Sequence, residues 1–116
     1  MSDRSDSDFV ADMLEAAKRI SAYIASLDYD DFLSDTKTQD AVIRNLEVIG
    51  DAAKNISTEI REQHSDIPWR SMAGVRDRLI HDYFGVNIDI VWEIATNELP
   101  TVAESLNRIA GEVIDE

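Results

Sequence analysis

Between residues 42 and 60 the apolar side chains Val42, Leu46, Ile49, Ala53, Ile56 and Ile60 are spaced 4, 3, 4, 3 and 4 apart. That rhythm follows one face of an α-helix and makes a seam suited to burial along other helices. It constrains the fold more than any other feature of the chain. The same period runs through Phe9, Met13, Ala16, Ile20, Tyr23 (or Ile24) and Leu27, and Ser7 or Asp8 can cap that first helix. The seam helix starts near Asp35 to Thr38 and ends near His64. A third helix is expected from about Trp69 to Tyr83, opened by Pro68 and stopped at Gly85. The stripe resumes at Ile88 and Val91 (or Trp92), then Ala95, Leu99, Val102, Leu106, Ile109 and Val113. Pro100 interrupts it and should open a fifth helix or kink a long one, since an interior proline removes a hydrogen bond and clashes with the preceding turn. With no strand-like alternation, the expected fold is all-α: an antiparallel bundle of four to five helices.

The 116 residues suffice for one domain with a single core, spanning 1–116 with residues 1–7 as a flexible lead-in. The polar, acidic start "MSDRSDSDF" does not read as a signal peptide, and no apolar run reaches membrane-spanning length. No membrane association is expected. The absence of cysteine excludes disulfides and thiolate zinc sites and suits a reducing cytoplasm. A net charge of −13 repels phosphate backbones at long range, which argues against a general nucleic-acid coating protein. Aspartates outnumber glutamates and lysines are few, a weak hint of a high-salt cytoplasm that an ordinary acidic surface explains equally well. The acidic stretch "DYDDFLSD" (28–35) lacks the glycine of a calcium loop and reads as a solvated turn.

Chemistry concentrates in "GVRDRLIHDYFGV", residues 74–86. On one continuous helix, Met72, Leu79, Ile80 and Tyr83 share a side with Val75 at its edge, and Arg76 falls inside that apolar stripe about 40° from Met72. A guanidinium there needs a carboxylate, such as Glu47 of the seam helix, or a polar cleft. His81 lies about 140° around from Arg76, so a free helix would not aim both at one small ligand. Both can line one cleft if the helix is held between its own bundle and a second subunit. By spacing alone, a salt-bridged surface accounts for these residues: Asp77 with His81, Arg78 with Asp82, and Arg76 with a neighbour. Neither histidine has a glutamate three residues before it, and no HExxH or phosphate-binding glycine loop occurs, so no metal or cofactor is expected.

The same stretch resembles the Arg-x4-6-His signature of the HEPN superfamily. Its longer form, Arg-x4-His-x-Tyr, is matched by Arg76, His81 and Tyr83. It is similar to that of the HepT toxins of HepT–MntA toxin–antitoxin systems. "RNLEVIGDAAKNIS" (44–57), "IPWRSMAGVRDRLIHDYFGV" (67–86) and "VWEIATNELP" (91–100) extend the likeness over roughly residues 9 to 110. The resemblance implies a homodimeric helical bundle with the motif helices facing a shared cleft. It also implies a metal-independent endoribonuclease that cuts RNA, with tRNA a plausible target, through attack of the ribose 2′-hydroxyl on the adjacent phosphate. His81 and Arg76 would be catalytic, Asp77 would orient the imidazole, and Tyr83 would accept AMP from an MntA-like nucleotidyltransferase antitoxin. A rival reading is a non-catalytic helical module that docks such a nucleotidyltransferase and holds a nucleotide. A third is a structural dimer without ligand.

Overall fold

A computed structural model of the chain describes residues 4–80 and 85–114, with side chains described to residue 111. It is an all-α bundle. Helix α1 (Asp6–Ile24) begins two residues earlier than the periodicity suggests, because Ser5 rather than Ser7 or Asp8 is the cap. Ser5 accepts the Asp8 amide and the Asp8 carboxylate accepts the Ser5 amide, which satisfies two otherwise orphaned donors. Part of the expected flexible lead-in is thereby anchored. Asp6 accepts from the backbone and hydroxyl of Ser57 at 2.8 and 2.7 Å, and Arg4 pairs with Asp12.

The acidic stretch after α1 contains a short helix, α2 (Tyr29–Leu33), capped by Asp28. Its Phe32 is fully buried, and Gln39 of the following helix donates to the Phe32 and Leu33 carbonyls. Helix α3 (Thr36–Lys54) carries the seam. Its cap, Asp35, accepts from the Thr38 hydroxyl and amide, which holds that carboxyl below the usual aspartate range. Every seam residue from Val42 to Ile60 is buried, as the spacing predicts. The helix itself does not run to His64. It breaks after Lys54, and α4 (Thr58–Gln63) starts afresh under a Ser57 cap. Asp6 grips Ser57, and Arg61 donates to the Ala53 and Ile56 carbonyls, so the groups freed by the break are satisfied.

The expected third helix divides into α5 (Trp69–Ala73) and α6 (Val75–Leu79), separated by Gly74. The chain then turns extended at Ile80, which pairs in antiparallel fashion with Val86. Gly85 has a positive φ of 84°, a conformation open to glycine at little cost. Helix α7 (Ile88–Glu93) follows under an Asn87 cap, passes into a π-helical turn (Ile94–Glu98), and continues as α8 (Leu99–Ile114). Pro100 neither opens a separate helix nor breaks this one. The wider turn before it, in which the Leu99 amide reaches back to Ile94, gives its ring room.

Helix α1 packs mainly on α3 and α8, and α3 also meets α5 and α6. Asp6 at the start of α1 meets Ser57 just past the end of α3, so those two helices run antiparallel. Among the described residues, no helix is long and apolar enough to cross a membrane. Helix α3 approaches the α5–α6 pair closely at Gly50. A Cβ there would lie 2.9 Å from Val75 Cγ1 and 3.1 Å from the Met72 carbonyl oxygen. Gly50→Ala should therefore destabilise the fold. Helix propensity favours alanine by about 1 kcal/mol, but overpacking of a close contact costs about 1–3 kcal/mol. The expected result is a lower urea midpoint; an unchanged or raised midpoint contradicts the close approach.

Candidate active site

Helix α6 presents the motif. Five residues make little more than one turn, and Gly74 supplies no side-chain cap, so the helix is placed by what it buries. Val75 and Leu79 are 3% and 2% exposed and point into the core with Met72 of α5. Gly74 interrupts the helix, and the buried side runs through Met72, Val75 and Leu79, with Arg76 at its edge. Arg76, expected within the apolar stripe, is instead exposed, and so is Ile80, at 54%. The continuous helix assumed for the 140° offset between Arg76 and His81 ends at Leu79. His81 and Tyr83 themselves lie outside the described residues, as does Asp82, the expected partner of Arg78. They follow directly on Ile80, whose amide donates to the Arg76 carbonyl at 3.3 Å, while the Asn87 amide donates to Leu79 at 2.7 Å. Those bonds and the Ile80–Val86 pairing tie both ends of the intervening segment to α6.

Arg76 has the partner that its position requires. Its Nε lies 3.4 Å from Glu47 Oε2 of α3, with the arginine side chain 60% exposed. Among the described residues no hydrogen bond of the Arg76 terminal amino groups accompanies this contact. Asp77 is exposed beside it in the first turn of α6. Arg78 behaves differently. Its Nη1 and Nη2 donate to Glu98 Oε1 and Oε2 at 2.9 and 2.7 Å, and Nη1 also reaches Ser71 Oγ at 3.0 Å. This two-pronged bond raises the already high pKa of Arg78. Among the described residues the carboxylate that meets Arg78 is Glu98, twenty positions on, which nothing local signals; Asp82, the partner that spacing offers, lies outside them. The basic cluster of Arg70, Arg76 and Arg78 is thus partly neutralised. Arg70 remains exposed beside an open cleft that also holds Arg61, Ser65 and Trp69. A second groove, between α1 and α8, carries none of the motif residues.

Residues 13–109 match the family described as "Ribonuclease HepT-like", a span that includes the whole motif. The chain belongs to this family. The protein named "Probable ribonuclease HepT" from Thermococcus cleftensis is 42% identical over 106 residues, covering 91% of this chain and 96% of that one. A candidate RNase of Methanocaldococcus jannaschii is 42% identical over 105 residues, 90% of this chain and 87% of its own. A third relative, a candidate RNase of Caldanaerobacter subterraneus subsp. tengcongensis, is 38% identical over 101 residues, 87% of this chain and 90% of its own. No solved structure gave a significant match. The family match agrees with the HEPN and HepT resemblance seen in the motif.

An exposed ion pair contributes about 0–1 kcal/mol to stability. Arg76→Ala and Glu47→Gln should each therefore leave the unfolding free energy within about 1 kcal/mol of the parent chain. Chemical denaturation checks this. A loss of several kcal/mol for Arg76→Ala would show that Arg76 supports the fold and is not held ready for a ligand.

Proposed function

We propose that this HepT-like chain is the toxin of a HepT–MntA type toxin–antitoxin pair, a metal-independent endoribonuclease acting as a two-fold dimer in the cytoplasm. The observation that carries this reading is the exposed Arg76 guanidinium on the helix that leads directly into His81, in a chain of the HepT-like family. Cleavage begins as a 2′-oxygen attacks the adjacent phosphorus. One His81 takes the 2′-hydroxyl proton, and the bond from phosphorus to the 5′-oxygen breaks. The protonated His81 of a second copy gives its proton to that leaving oxygen. The products are a 2′,3′-cyclic phosphate and a 5′-hydroxyl. Arg76 stabilises charge on the phosphorane with its guanidinium, and Asp77 orients the imidazole.

One chain has one His81, so the scheme needs a partner copy. Ile80 and Val86, on either side of residues 81–84, are 54% and 38% exposed. A second copy laid over this apolar surface would bring two His81 residues to one cleft. Tyr83 is the proposed acceptor of AMP from an MntA-like nucleotidyltransferase antitoxin. Each added phosphodiester would compete with RNA phosphate for Arg76 and obstruct the cleft.

The rival reading is a docking module for the nucleotidyltransferase. It draws on the net charge of −13 and on the two motif arginines already paired with glutamates. His81→Ala separates the two. Under the ribonuclease reading, His81→Ala and Arg76→Ala each abolish RNA cleavage with helix content intact. Wild-type cleavage persists in EDTA and leaves cyclic phosphate ends. Full activity in His81→Ala would favour the docking module.

Regulation has its own test. Tyr83→Phe should keep most of the ribonuclease activity, gain no AMP-sized mass on incubation with the partner and ATP, and stay toxic when the partner is co-expressed. Modification and silencing of Tyr83→Phe at the wild-type level would place the acceptor elsewhere.

A further inference from the structure

We infer that Arg78, Glu98 and Ser71 form a positioning brace that sets the orientation of the motif helix, and with it the placement of Arg76 and of the chain leading to His81. The inference rests on the ribonuclease reading for its consequence in catalysis, but the brace itself is read from geometry. Helix α6 is too short to hold its own direction, and its N-terminus lacks a side-chain cap. Val75 and Leu79 fix its inner side. Apolar contacts alone leave it free to roll, because they are not directional. The two-pronged Arg78–Glu98 bond is directional, and it acts between Arg76 and the end of the helix at Leu79. Ser71 extends the tie across Gly74 to α5.

The π-helical turn gives the brace its register. Counting two turns on from buried Val91 at about 3.6 residues per turn lands on position 98. An uninterrupted α-helix would therefore aim Glu98 inward. The extra residue in the turn passes the inward place to Leu99, which is 5% exposed. Glu98 is left at the rim, where it meets Arg78. Arg78, Glu98 and Ser71 also line a small cavity of about 30 Å³ together with Leu46, Ile49, Met72 and Val75. A seal over the core is thus the competing role, and the test must separate it from positioning.

Arg78→Lys keeps the charge and loses the two-pronged bond; Glu98→Gln keeps the shape and loses the charge. Each is compared with wild type and with Arg19→Gln, which breaks an exposed ion pair on α1. Two readouts are taken: hydrogen exchange at the Ile80 and Asn87 amides, and kcat and KM for RNA cleavage. Positioning predicts exchange at both amides faster by about tenfold or more, with the α1 and α3 amides unchanged. It also predicts a kcat lower by about tenfold or more with KM within about twofold, since a misplacement of about 1 Å can cost about a hundredfold. The doubly exchanged chain, Arg78→Glu with Glu98→Arg, should recover part of the kcat. Unchanged exchange at Ile80 and Asn87 in both single variants overturns the brace, as does faster exchange spread evenly over α1 and α3, the mark of a core seal. If wild type cleaves no RNA, the ribonuclease reading fails, and the exchange measurements still decide whether the brace exists.

Discussion

Five residues form little more than one helical turn, so α6 takes its stability from its surroundings and not from its own hydrogen bonds. Everything proposed for the site depends on that constraint. Gly50 lets α3 come close enough for Val75 to seat against it, and Leu79 closes the inner face. Glu98 holds Arg78 on the opposite side of the helix from Glu47, which meets Arg76. The result is a short helix in which Arg78 is bound to Glu98 while Arg76, two positions earlier, is largely exposed beside Glu47. The chain then leaves the helix at Ile80 and returns at Val86, carrying His81 and Tyr83 between two paired ends.

The acidic composition has a structural side. Asp28 and Asp35 cap helices, Asp8 and Asp31 complete capping boxes, and Asp6 bonds across to Ser57. A short carboxylate reaches the first amides of its own helix more readily than a long one, which suits aspartate to these positions. Part of the negative charge thus terminates helices. RNA would have to approach through the field of the remainder, by way of Arg70 and Arg76, and salt would ease that approach.

Much of the fold was legible because its signal is local. The seam from Val42 to Ile60 and the stripe from Ala95 to Ile109 follow from helical period alone, and both are buried as read. The break after Lys54 was hidden by the unbroken apolar period to Ile60; Ser57 caps the new helix locally, and Asp6, fifty-one residues away, bonds to it. The end of α6 was misjudged for a related reason. Gly85 marked a stop, but the chain turns extended at Ile80, which pairs with Val86, and the helix ends at Leu79. Arg76 faces solvent because the buried side is centred between Met72, Leu79 and Val75, which leaves Arg76 at its edge. Its partner Glu47 could be anticipated from the need to neutralise a guanidinium. The partner of Arg78 could not, because Glu98 reaches it only through a π-helical turn that the sequence around Pro100 does not announce.

The central claim is that the solvent-facing side of α6, with Arg76 and the chain into His81, is where RNA phosphate binds. The most direct measurement is an NMR titration of the side-chain and backbone N–H signals with a short RNA methylated at its 2′-oxygens, which can bind but cannot be cut. The account predicts saturable shifts centred on the Arg76 side chain, Asp77 and Ile80, with the α1–α8 groove unaffected. Saturable shifts confined to that groove, or binding that leaves Arg76 unmoved, would contradict it.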